Sequence, residues 1–149
     1  MNITSPQVPR GPLLLGSAGA LPFVAAFVTT LLLGEAMHDI AGKVLIAYAA
    51  LILSFLGGIQ WGLAMAEYGG EGRLTERYAL SILPVLIAWS ALLAPLSLGY
   101  WILAAGFLWA LVMDILALRA GFAPLWYRYI RIPLSIVVVA TSIAGALTF

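Results

Sequence analysis

The sequence predicts an all-α integral membrane protein, one transmembrane domain over residues 1–149 built as a five-helix bundle, with the N-terminus in the cytoplasm and the C-terminus outside. Three observations predict it. Of the 149 residues 64% are hydrophobic and only 9% are charged, with a mean hydropathy of +1.09. A soluble domain carries roughly 25% charged residues, so too little polar surface is present to face water. Five stretches, about 13–33, 44–66, 78–94, 98–118 and 132–148, hold a single charge among them, Asp114. Each is close to the ~17–25 residues that cross a ~30 Å hydrocarbon core. Finally, Arg10, Arg73, Arg77, Arg119, Arg128 and Arg131 all fall on one side of these segments, against Lys43 on the other. Basic residues collect on the cytoplasmic face, which sets the orientation.

The elements follow in order. Pro6, Pro9, Arg10 and Pro12 make residues 1–12 a short, poorly ordered tail. The first apolar segment reads as a retained helix. Ala18-Gly19-Ala20 looks like a signal-peptide cleavage site, but only three leucines precede it, where a signal peptide needs roughly 7–15 apolar residues. The second helix has small residues at four-residue spacing, Ala50, Ser54, Gly58, Gly62 and Ala66. Packing in lipid relies on close backbone approach, so Ser54, Gly58 and Gly62 are predicted to pack against a neighbouring helix. Gly69-Gly70-Glu71-Gly72-Arg73 lacks the lysine of a phosphate-binding loop and is taken as a turn, with Thr75 capping the third helix. Pro95-Leu96-Ser97-Leu98-Gly99 closes a helical hairpin. On the fourth helix Gly106, Ala110 and Asp114 form one stripe, which turns Asp114 towards the protein interior. Leu21-Pro22 with Ala26-Phe27 echoes Leu83-Pro84 with Ala88-Trp89, a faint sign that helices 1–2 and 3–4 are parallel repeats.

Depth locates the candidate chemistry. Asp114 is about 7–8 Å from the cytoplasmic end at Arg119, Gln60 and Pro84 are each ~10 Å in, and Pro22 is roughly 13–14 Å deep. A proline inside a helix frees the carbonyl four residues earlier, here those of Ala18 and Leu80. Asp114, Gln60, Trp61, Pro22 and Pro84 are therefore the candidates for an ion or ligand pathway that opens to the cytoplasm, because intramembrane acids mark such sites. The competing expectation is structural: Asp114 pairs with Arg77, Arg119 or Arg128, and Gln60 bonds a carbonyl across a helix pair. Trp101 and Trp126 fall at helix ends, where tryptophan forms the interfacial belt. In the fourth loop Trp126, Arg128 and Arg131 interleave aromatic and basic side chains, which suits contact with lipid head groups.

Several activities are excluded. There is no cysteine and one histidine, His38, so thiol chemistry, a Ser-His-Asp triad near Asp114 and a two-histidine haem site are all out of reach. Glu35, His38 and Asp39 have metal-capable side chains, but three in one loop do not make a metal site. A net charge of +1 with scattered arginines argues against nucleic acid. No enzyme activity, cofactor or metal is expected.

Leu21-Pro22-Phe23, Phe55-Leu56-Gly57-Gly58 with Gln60-Trp61-Gly62, and Trp126-Tyr127 with Ile130-Arg131 resemble domain-of-unknown-function family 3429, the family of mitochondrial transmembrane protein sixty-nine. The resemblance covers nearly the whole chain and is most specific at the glycine-tryptophan motif. It implies a small multi-helix protein of the bacterial inner membrane, or of a mitochondrial membrane if the chain is eukaryotic, without an established activity. The tryptophan-rich sensory protein family also has five helices in a chain of this size, but its proline-tryptophan motif in the first loop is missing. Two functions are expected from the whole. One is binding or transport of an ion or small polar ligand through a cytoplasm-facing polar cavity. The other is a non-catalytic assembly or scaffold subunit, whose partners are membrane lipids, itself or another membrane protein.

Overall fold

A computed structural model describes residues 8–32, 35–66 and 71–149. Among these residues the elements are six helices and no strand: α1 Arg10–Ala18, α2 Leu21–Leu32, α3 Glu35–Ala66, α4 Glu71–Leu93, α5 Leu96–Arg119 and α6 Tyr127–Thr148. Among the described residues four spans, Met37–Ala66, Thr75–Leu93, Leu96–Arg119 and Tyr127–Thr148, are long and apolar enough to cross a membrane.

The first expected crossing is not one helix. It breaks at Gly19–Ala20 into α1 and α2. The proline is the cause. Pro22 sits in the first turn of α2, where its missing N–H costs nothing, so the chain restarts a helix instead of kinking through one. The 12-residue α2 is about 18 Å long, short of a ~30 Å core on its own. The break leaves carbonyls to satisfy, and the Tyr48 hydroxyl donates to that of Gly19 at 2.9 Å. Pro84 by contrast lies well inside α4, so the two Leu-Pro pairs do not occupy equivalent places.

Other boundaries also move. The expected loop 34–43 is mostly the start of α3, the expected cap Thr75 lies inside α4, and the expected loop at Tyr127–Arg131 is the start of α6. Hydropathy measures where the bilayer ends, and a helix without a breaker continues past that point. The α4–α5 hairpin falls where Pro95 stands, as the N-cap of α5.

Helix α3 is the centre, packing against α2, α4 and α5 and touching α6. Leu53, Ala91, Tyr100, Leu103 and Phe107 form the middle of the core. The backbone of α3 comes close to α4 at Gly57. A Cβ there would lie 2.6 Å from the Ser81 carbonyl oxygen of α4 and 3.4 Å from Pro84. The ridge expected at Gly58 and Gly62 is displaced by one residue, because both are exposed with nothing within 4 Å of a Cβ. Ser54 is half-buried and its hydroxyl turns back to the Ala50 carbonyl at 2.9 Å. On α5 the stripe holds: Gly106, Ala110 and Asp114 are all buried, and Gly106 leaves room for Leu53 and Ile87.

The end of α5 positions the site. Gly121 has φ +77°, a left-handed conformation that suits glycine. With it the Phe122 N–H reaches the Ala117 carbonyl at 2.9 Å and the Gly121 N–H reaches that of Leu118 at 3.2 Å. This double closure stops α5 and turns the chain back, so that α6 returns along α5.

Candidate functional site

Two features adjoin: a buried polar cluster and an apolar cavity. In the cluster, Asp114 of α5 is 2% exposed and Arg131 of α6 is 6% exposed. The Arg131 Nε donates to Asp114 Oδ2, forming a buried ion pair. Gln60 of α3 donates through Nε2 to Asp114 Oδ1. The Tyr127 hydroxyl donates to the same oxygen at a longer 3.3 Å. Two helices, α3 and α6, thus spend three side chains on the one carboxylate of α5, and the charges of Asp114 and Arg131 cancel. A lone buried charge is costly, and pairing with further hydrogen bonds is what makes this one tolerable.

The cavity has a volume of about 380 Å³ and lies between α1, α2, α3 and α6. Its walls are mostly apolar. Leu15, Gly16 and Phe23 form one side, Ile52, Phe55 and Ile59 a second, and Ile130, Leu134 and Val138 a third. Trp126, Tyr127 and Arg131 also line it, so the cluster and the cavity share two residues. The break between α1 and α2 supplies Gly19 and Ala20 to the wall. A volume of this size is within the ~300–1,000 Å³ of small-molecule sites.

Of the pathway candidates, Asp114 and Gln60 meet directly. The others stand apart. Trp61 is exposed and packs on Tyr78, ring centroids 4.7 Å apart. Pro84 is buried against Gly57, and neither Pro22 nor Pro84 lines the cavity. Of the head-group candidates, Arg128 is exposed, donates to the Tyr129 hydroxyl at 2.7 Å and lies over that ring. Arg131 is instead the partner of Asp114, which corrects both its own placement and the expected partner. Arg77 lies over the Phe122 ring at 4.1 Å, and Arg119 is exposed. On the outer end, His38 packs on the ring of Phe149 at 4.4 Å, and the Glu35 side chain is outside the described residues.

Sequence reasoning missed Tyr127 and Arg131 as parts of the cluster, yet a signal was present. With α6 begun at Tyr127, Arg131, Ser135, Val138 and Ser142 fall on one helical face, and all four are buried. A polar stripe on an otherwise apolar helix points inward.

Comparison with known proteins gives a family without an activity. A family model described as a protein of unknown function (DUF3429) matches residues 8–147. Transmembrane protein 69 of Xenopus tropicalis is 35% identical over 143 residues, covering 95% of this chain and 55% of that protein. Transmembrane protein 69 of Mus musculus is 31% identical over 85 residues, covering 57% of this chain and 34% of that protein. The chain therefore spans about half the length, or less, of these relatives. No solved structure matches.

Proposed function

We propose that this chain, which belongs to the membrane-protein family of unknown function DUF3429, is a non-catalytic protein that binds a lipid-like molecule in the cavity between α1, α2, α3 and α6. The observation that carries the reading is the cavity itself: about 380 Å³ of mostly apolar space with an arginine on its wall. Such a space in a bilayer suits an apolar chain better than an ion or a small polar solute. Asp114 supports the same choice, since it is 2% exposed and already paired with Arg131. An ion path requires a hydrated or exchangeable carboxylate, whereas this one braces α3, α5 and α6.

The topology that goes with it has five crossings, N-terminus inside and C-terminus outside. Its support is the packing of α2 along α3 and of α1 along the start of α6, where a Cβ at Gly16 would meet Ile130 and Leu134. Gly19 and Phe23, on either side of the break, both meet Tyr48 of α3. The two short helices together supply the first crossing, in two pieces.

A photoactivatable acyl probe tests the binding reading. It should label peptides containing Ile130 and Leu134 in a saturable manner, and Ile52→Trp, which fills the cavity, should abolish that component. Ile82→Trp, on an exposed face of α4, should leave it intact. Labelling that never saturates, or that survives Ile52→Trp, defeats the reading. A second reading, association with another copy, is favoured by the open Gly58 and Gly62 surface. Cysteine placed at position 62 of this cysteine-free chain should cross-link between copies if it holds, and should stay monomeric if that face meets lipid.

A further inference from the structure

Arg131 lines the cavity and carries a buried nitrogen without an acceptor, and the charge balance around it says what the cavity takes. The Arg131 guanidinium gives Nε to Asp114, whereas Nη2 is buried with no acceptor among the described residues. A buried donor without an acceptor is costly, so an oxygen brought by a ligand is favoured there. The type of oxygen follows from the cluster. Asp114 already cancels the charge of Arg131, so a bare anion would add an uncompensated negative charge against an apolar wall. A neutral carbonyl accepts the hydrogen bond and adds no charge.

We propose, resting on the lipid-binding reading above, that the occupant is one acyl chain of an ester-linked glycerophospholipid, its ester carbonyl accepting from Arg131. The volume agrees. At the ~30 Å³ share of a water-sized group, 380 Å³ holds about a dozen such groups, a large part of one acyl chain. The surroundings agree as well. Arg128 is exposed and three residues earlier on α6, about 4.5 Å further out along the helix. In a glycerophospholipid the phosphate lies just outward of the ester carbonyls, so carbonyl at Arg131 and phosphate at the level of Arg128 follow the order of the lipid. Trp126, on the cavity wall at the same end, suits the interface between them.

The test compares two competitors against the photoactivatable acyl probe on the unaltered protein in detergent. One is a phosphatidylcholine with ester-linked chains; the other is its ether-linked analogue, identical except for the missing carbonyls. The ester lipid should displace the probe at least tenfold more effectively. Equal displacement by both lipids overturns the carbonyl assignment while leaving the cavity as an acyl site. Displacement by neither overturns the cavity reading too. The paired replacement Asp114→Leu with Arg131→Met removes both charges together, and it should bind ester and ether lipids alike. An ester preference that persists in this variant also overturns the assignment.

Discussion

Removing one member of the Asp114–Arg131 pair and removing both should have opposite consequences. Asp114→Leu leaves the Arg131 cation, 6% exposed, without its counter-charge, and takes the acceptor from Gln60 and Tyr127. Arg131→Met strands a carboxylate that is 2% exposed. Breaking a buried pair in this way costs ~3–5 kcal/mol, whereas an exposed pair is worth only ~0.2–1 kcal/mol. With ~2–4 °C per kcal/mol for a chain of about this size, each single variant should lose about 6–20 °C in Tm. Replacing both by apolar residues of similar volume is often neutral or stabilising, so the double variant should recover most of the loss. Tryptophan fluorescence during thermal unfolding in detergent measures all three. Single variants within ~2 °C of the parent, or a double variant as unstable as the two losses added, would refute the argument that the two charges are buried and balance each other.

Three further outcomes follow from the packing and the termini. Gly57→Leu should destabilise by at least ~1–3 kcal/mol, because a Cβ meets the Ser81 carbonyl oxygen at 2.6 Å, whereas Gly58→Leu one residue on should be neutral or slightly stabilising in the monomer; unfolding in denaturing detergent compares them. Gly121→Ala forces a side chain onto φ +77° and should cost about 1–2 kcal/mol in the same assay; no change would mean the turn after α5 reforms differently. A reporter active only in the cytoplasm, fused after Phe149, should be silent, and a strong signal would reverse the orientation.

The sequence made the helical class and the four candidate spans legible because hydropathy over a bilayer thickness is a strong signal. It also made the inward face of α5 legible, since Gly106, Ala110 and Asp114 share a stripe. What it hid has physical causes. A hydropathy window does not register Pro22 restarting a helix, so the α1–α2 break, and with it the cavity wall at Gly19 and Ala20, went unseen. Two adjacent glycines, Gly57 and Gly58, present the same small side to a spacing argument. Only the packed helices show which one faces Ser81. Arg131 was hidden by its charge. Arginines next to a membrane usually mark its surface, and the run Tyr127–Ile132 contains no long apolar stretch that would signal a helix around Arg131. Its partnership with Asp114, 17 residues away, depends on the reversal at Gly121, which sequence spacing alone does not specify.

An experimental structure in lipid nanodiscs tests the central claim most directly. The account predicts elongated density between α1, α2, α3 and α6, bounded by Leu15, Phe23 and Val138, with a polar end within hydrogen-bond distance of the Arg131 guanidinium. A cavity closed by its own side chains, or one filled only by water that reaches Asp114, would contradict it.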